Sequence, residues 1–380
     1  MLQSLKKYTR RHRGGILVTA AIGGGSYLIG RYAAGKIRDH QQHANSKETL
    51  RRLFQQNQND CVFTVLSLLP TLGEQIFKEI NVETCWQKLQ RSRKLEKQQS
   101  DDDDKDQEGI LDKETKYLLW EEIKEKSFIR TFTSIYSVTL LILLMQIQLN
   151  ILGRCNRYEW SAGTRSEPTL HLQQSPSIDP QTEDVYLGAC WWLLHRGWRL
   201  CYQQVKEAVD ETLKSVSLKR LINYKDAKVI TQQLRRHIEW DSDGALSESI
   251  RSWMLPQDLD GTRELLDKTG VGDDFPRLSS IKLRSLLDET RAYINSDAFS
   301  HVLNSCLDQA FGVFYRHAFA EPLVDDNQAA TKKTTLANLL PGVSRQAHLV
   351  ISGNEYLNEF VYSKELEAFS AIIYTQNAID

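Results

Sequence analysis

The chain has 380 residues, with 48 Lys and Arg against 49 Asp and Glu, and a net charge of −1 argues against bulk affinity for nucleic acid. Its six cysteines (Cys61, Cys85, Cys155, Cys190, Cys201, Cys306) are scattered without a CxxC, which favours free thiols over a disulfide framework. Nine dispersed histidines, no HExxH and no zinc spacing lead us to expect neither metal nor other cofactor.

The charge is unevenly placed. The first forty residues hold eight Lys or Arg and one acid, Asp39. Gly14 to Gly30 (GGILVTAAIGGGSYLIG) is uncharged, preceded by Lys6, Lys7, Arg10, Arg11 and Arg13 and followed by Arg31, Lys36 and Arg38. As a helix this run rises about 26 Å, slightly less than the roughly 30 Å of a bilayer's hydrocarbon core. Tyr27, Tyr32 and the basic side chains can reach the headgroups. Residues 1–13 are therefore predicted as a basic targeting segment, 14–30 as a transmembrane anchor and 31–45 as a basic linker to a polar body. A mitochondrial presequence competes, because Met1 to Arg38 is basic and free of acids. A secretory signal fits only loosely, with Tyr32-Ala33-Ala34-Gly35 as its cleavage site. A dinucleotide loop fails because Leu28 stands where GxGxxG needs glycine.

Beyond the linker, helical periodicity dominates. Ser46 to Phe54 and Val62 to Ile80 read as helix, with Leu66, Leu69, Leu72, Ile76 and Ile80 at steps of three and four, and Pro70 is expected to kink or restart it. Arg91 to Gly109 is hydrophilic and contains Asp101-Asp102-Asp103-Asp104, which reads as a mobile acidic loop. Asp112 to Gly153 reads as one very long helix whose second half, Thr131 to Gly153, carries no charge. Its length suits a second membrane span. Its hydroxyl and amide residues favour the central helix of a soluble bundle.

Gly163 to Asp184 is rich in Ser, Pro, Gln and Thr and reads as a loop. Val185 to Leu213 resumes the helical pattern, with Trp191, Trp192, Leu194, Trp198, Tyr202 and Val205 on an inner face. Ser217 to Trp240 is another helix, and Asp241 to Asp260 a connection. Further helical segments cover Ile281 to Ile294, Phe299 to Phe319 and Leu336 to Tyr374, the last after a linker at 325–335. No alternating strand pattern is evident. The expected fold is all-α, with residues 46–380 sharing one core.

No nucleophile elbow, Walker loop, paired-carboxylate motif or cofactor fingerprint occurs, so the expectation is a binding protein rather than an enzyme. The most suggestive surface lies early in the long helix, where Lys116, Trp120, Ile123 and Ser127 fall on one stripe. A tryptophan among lysines at the wetter end of a helix suits a groove for an amphipathic partner helix. On spacing alone, the core is the favoured place for Trp120, since most tryptophans pack there.

Several segments resemble the peroxin-3 family, in family order. After the basic and apolar amino terminus come Cys61-Val62-Phe63-Thr64-Val65-Leu66-Ser67-Leu68-Leu69-Pro70-Thr71-Leu72, then Leu119-Trp120-Glu121-Glu122-Ile123-Lys124 and Ser127-Phe128. Gln146-Ile147-Gln148-Leu149-Asn150-Ile151-Leu152-Gly153 and Ser215-Val216-Ser217-Leu218-Lys219 follow. Phe299-Ser300-His301-Val302-Leu303-Asn304 and Leu339-Leu340-Pro341 complete the set. The acidic stretch Gln98 to Glu108 departs from this pattern and reads as an insertion.

The resemblance implies a single elongated helical bundle in the cytosol, an amino-terminal anchor in the peroxisomal membrane and no catalysis. The endoplasmic reticulum would be a compartment of transit. It implies a docking receptor for the cargo chaperone peroxin-19, whose amphipathic amino-terminal helix would sit in an apolar groove at the distal end. In this sequence the groove tryptophan corresponds to Trp120 and its neighbouring lysine to Lys116; Leu119 and Ile123 are added from helical spacing. The family also recruits factors for organelle inheritance and turnover. Against the implied orientation, the basic excess precedes the anchor run, which by the positive-inside rule would leave the amino terminus cytosolic. The alternative reading is a membrane-anchored helical scaffold of mitochondria or another organelle with unrelated partners.

Overall fold

The computed structural model describes residues 42–99, 110–163, 178–241, 244–272, 275–324, 332–361 and 363–376. The targeting segment, the anchor run with its basic flanks, and the Asp101 to Asp104 run lie outside the described residues.

Helix α1 (Gln42–Glu79) is continuous through Pro70. The expected restart is absent because Pro70 is exposed, so its ring and missing N–H face solvent. Helix α2 (Glu83–Gln99) overturns the loop expected from Arg91: residues 91–99 are helical. Its buried stripe is narrow, with Cys85 and Ser92 buried and Leu89 and Leu95 half-buried, and exposed cations hide it in the sequence.

Helix α3 (Lys113–Gly163) is the axis of the fold. Its apolar stretch is long enough to cross a bilayer, yet 94% of that stretch is buried inside the protein. Every residue from Ser127 to Gln148 is buried. Helix α1 runs antiparallel to α3: Asn57 Nδ2 donates to Asn150 Oδ1 at 3.0 Å near one end, and Lys126 Nζ donates to the Asn81 carbonyl at 3.3 Å near the other. A Cβ at Gly153 would come within 2.7 Å of the Tyr374 ring and 2.9 Å of Asn57, so the close approach there requires glycine.

Helix α4 (Pro180–Gly188) starts within the segment expected as loop, because Asp179 caps it by accepting from Thr182 N and Pro180 occupies its first turn. A π-helical turn, Leu193–Gly197, leads into α5 (Trp198–Leu213). A Cβ at Gly197 would stand 1.7 Å from the Trp253 carbonyl oxygen, so only glycine lets these backbones meet. Helix α6 (Tyr224–Glu239) begins with a capping box of Asn223 and Asp226. Helix α7 (Glu248–Met254) corrects the expected connection; Ile250, Trp253 and Met254 bury its inner side. Then come α8 (Leu259–Lys268), α9 (Arg277–Ile294), α10 (Asp297–Phe314), a second π-helical turn at Tyr315–Ala320, α11 (Leu336–Ser352), α12 (Asn354–Val361) and α13 (Lys364–Thr375). Among the described residues the only sheet is a two-residue antiparallel pairing of Leu221–Ile222 with Thr334–Thr335.

Helices α1, α2, α5, α10, α11 and α13 all pack on α3, and the buried apolar residues form one cluster. Each fully buried Leu, Ile or Phe contributes about 1.5–3 kcal/mol relative to exposure. Charges fix the register of these layers. Arg130 is 1% exposed and grips both Glu83 carboxylate oxygens at 2.8 Å, while also donating to Ser344 Oγ. Arg154 holds Glu289 the same way at 2.7 Å. Such pairs discriminate between packings more than they add net stability. The described cysteines are all free thiols.

A candidate docking surface at the amino-terminal end of α3

The first turns of α3 escape the burial imposed on the rest. The chain is pinned there to α2, with Leu111 N donating to Ser92 Oγ at 3.1 Å and Lys116 ion-paired to Glu96. The hydrogen bond from Lys116 holds the Glu96 carboxyl below the usual carboxylate range. On the other side the Lys124 ammonium, 1% exposed, donates to the carbonyls of Leu213 and Val216 at 3.1 and 3.0 Å and pairs with Glu121. Those bonds tie the end of α5 to α3 and satisfy a cation that burial would otherwise penalise.

Trp120 sits between these two attachments. It is half-buried and meets the half-buried Trp86 of α2 edge to face, with ring centroids 5.2 Å apart and planes at 82°. Tyr117, one turn earlier on the same side as Trp120 and Lys116, is 53% exposed. Leu118 is 60% exposed but lies on the opposite side of the helix from Trp120.

Of the four residues selected from the sequence, Trp120 and Lys116 are partly solvent-accessible and adjacent. Leu119 is 7% exposed and Ile123 fully buried. As a free surface those two are corrected: they share a face with Ser127 that points into the core, about 100° around the helix from Trp120 in the case of Leu119. Trp86 and Tyr117 were missed. Trp86 had a readable signal, because Cys85, Leu89 and Ser92 place it at the edge of a helical stripe.

The site lies far from the start of the described chain. Trp120 and Gly153 are separated by 33 residues of one helix, hence about 50 Å, and α1 passes the Gly153 end at Asn57 in its first half.

Among the described residues no three His, Cys, Asp or Glu side chains are grouped to hold a metal. One cleft, lined by Trp240, Asp241, Arg251, Asp297, Ser300 and His301, has a volume of about 440 Å³. Among the described residues no hydrogen bond there links His301 to Ser300 or to a carboxylate.

Comparison with known proteins gives a consistent result. The family model described as Peroxin-3 matches residues 7–108 and 96–376, two pieces that overlap on the acidic stretch. Peroxisomal biogenesis factor 3 of Mus musculus is 27% identical over 396 residues, covering 98% of this chain and 97% of that protein. The protein of the same name in Debaryomyces hansenii is 26% identical over 428 residues, 99% of each chain. The peroxisomal membrane protein PEX3 of Komagataella phaffii is 31% identical over 246 residues, covering 56% of this chain and 54% of that one.

Proposed function

We propose, from the premise that this chain belongs to the peroxin-3 family, that it serves peroxisome biogenesis at the peroxisomal membrane as a docking receptor for peroxin-19. The named relatives are a biogenesis factor and a peroxisomal membrane protein, and the family is not one of enzymes. In this reading residues 14–30 tether the helical body, which faces the cytosol. An amphipathic helix near the amino terminus of peroxin-19 lies against Trp120, Tyr117 and Lys116. Leu119 and Ile123 support that surface from beneath without touching the partner. Cargo carried by the chaperone is thereby held near the bilayer into which it must insert.

The observation that carries the reading is the Trp86–Trp120 pair left half-open at the amino-terminal end of α3. A half-buried aromatic pair is the composition of a binding hot spot, and covering one indole is worth about 2–4 kcal/mol. Calorimetric titration of a peroxin-19 amino-terminal peptide into wild type and Trp120→Ala tests it. The expected loss is tenfold or more in Kd, that is, about 1.4 kcal/mol at least; equal affinities overturn the reading. Protease treatment of intact organelles checks the topology: a carboxy-terminal tag is digested if the body is cytosolic and protected if it is not.

A further inference from the structure

The cations of α2 bear on what the furrow accepts. Two acids interrupt this helix, and both are occupied: Glu83 by Arg130 and Glu96 by Lys116. On the adjoining turns of α3, Glu121 is taken by Lys124 and Glu122 by Lys126. By contrast Lys88, Arg91, Arg93 and Lys94 are exposed, and none has a salt-bridge partner among the described residues. Arg93 follows Trp86 at i+7 with Gln90 between them, so it continues the row that leads out of the aromatic furrow. Lys94 stands beside it. This face lies about 50 Å along α3 from Gly153, against which Asn57 of α1 packs.

We infer that the docking furrow selects an acidic amphipathic helix, and that Arg93 and Lys94 are its specificity-determining residues. The inference rests on the docking reading and adds the chemistry of the partner's polar face. The indoles take the apolar stripe of the visiting helix. The two cations meet carboxylates on its flank, draw it in at long range and fix its direction along α2. Because both are exposed, they govern the association rate and salt dependence more than the lifetime of the complex.

The test uses the full chain in phosphatidylcholine nanodiscs and three synthetic helical peptides with one common apolar stripe. Their polar faces carry Glu, Gln or Lys. At low salt we expect wild type to bind the Glu peptide about tenfold more tightly than the Gln peptide, as two exposed ion pairs supply. That preference should shrink towards unity at high salt. The double variant Arg93→Glu/Lys94→Glu should prefer the Lys peptide to the Glu peptide, with a circular dichroism spectrum and thermal midpoint like those of wild type showing it folded. Trp120→Ala should weaken all three equally. Equal binding of Glu and Gln peptides by wild type overturns the inference and leaves docking standing. Loss of every peptide's binding in wild type overturns both. Displacement of the Glu peptide by vesicles of phosphatidylcholine and phosphatidylinositol overturns the inference in favour of a lipid surface.

Discussion

Two pairs of tryptophans occupy this molecule in opposite ways. Trp198 and Trp253 are 0% and 1% exposed, enclosed by the π-helical turn, α3 and α7, and Trp198 Nε1 donates to Gln75 Oε1 at 3.3 Å. Trp86 and Trp120 touch each other and remain half-open. The residues are equally apolar; the number of layers around them differs. Along its middle α3 is covered on all sides, whereas among the described residues its first turns are held by α2 on one flank and the end of α5 on another. Exposed aromatic area on a folded protein costs hydration free energy, and the proposed docking accounts for its persistence at one end.

The comparison is tested most severely in the enclosed region. Phe132 is fully buried, with ring centroids of Phe311 and Phe314 at 5.1 and 5.8 Å. Phe132→Ala should lower unfolding stability by about 3–5 kcal/mol while the folded fraction keeps its affinity for the partner peptide. A loss below about 1 kcal/mol in a urea titration would mean that the middle of α3 is less tightly enclosed than its burial indicates.

Next in size come two neighbours at the open end. Leu119→Ala should cost about 2–5 kcal/mol of stability, because its side chain faces the core. Tyr117→Ala should leave stability within about 0.5 kcal/mol and weaken peptide binding by about 1 kcal/mol. Reversal of that division, with Leu119 governing binding and Tyr117 stability, would restore the contact set derived from spacing and remove the one derived from burial.

Those neighbours also mark where the sequence was readable. The uncharged stretch from Thr131 to Gly153 announced a helix apolar all round, and its hydroxyls and amides pointed inside a bundle rather than into lipid. The long helices are legible because burial on every side leaves one composition. At Leu118-Leu119-Trp120 three apolar residues follow one another, so periodicity marks a helix but not which of the three faces out; only α2 and the end of α5 decide that. Residues 91–99 failed for the converse reason. Their charges are conspicuous and the stripe of Leu89, Ser92 and Leu95 beneath them is thin. Trp120 itself was carried by family likeness, since spacing alone favoured the core.

A smaller effect probes the hydroxyls of the enclosed stretch. Ser134 is fully buried and its Oγ has no hydrogen-bond partner among the described residues. Ser134→Ala removes an unsatisfied polar atom and should be neutral or stabilising by up to about 1 kcal/mol. A destabilisation above about 1 kcal/mol would show that the hydroxyl is bonded after all, for instance to a buried water.

The smallest expected effect lies away from both tryptophan pairs, where the second π-helical turn meets α12. His317 Nδ1 lies 3.0 Å from Glu321 Oε1, and its Nε2 contacts Glu355, while Arg316 pairs with Glu359 at 3.2 Å. Burial alone would lower the imidazole pKa, but the hydrogen bonds to Glu321 and Glu355 outweigh it and hold the value above the ordinary histidine range. A raised folded-state pKa means that the native protein binds the proton more tightly than the unfolded chain does. The added stability is therefore complete below the unfolded value of about 6.5 and is lost as pH rises through the folded one. Denaturation of wild type and His317→Gln across that interval should show the wild type losing its advantage as the solution becomes more alkaline. Peptide binding at Trp120 should be indifferent to the substitution, because α12 packs chiefly on α10, α11 and α13. A binding affinity that followed the His317 titration would instead mean that the open end and the sealed body are coupled.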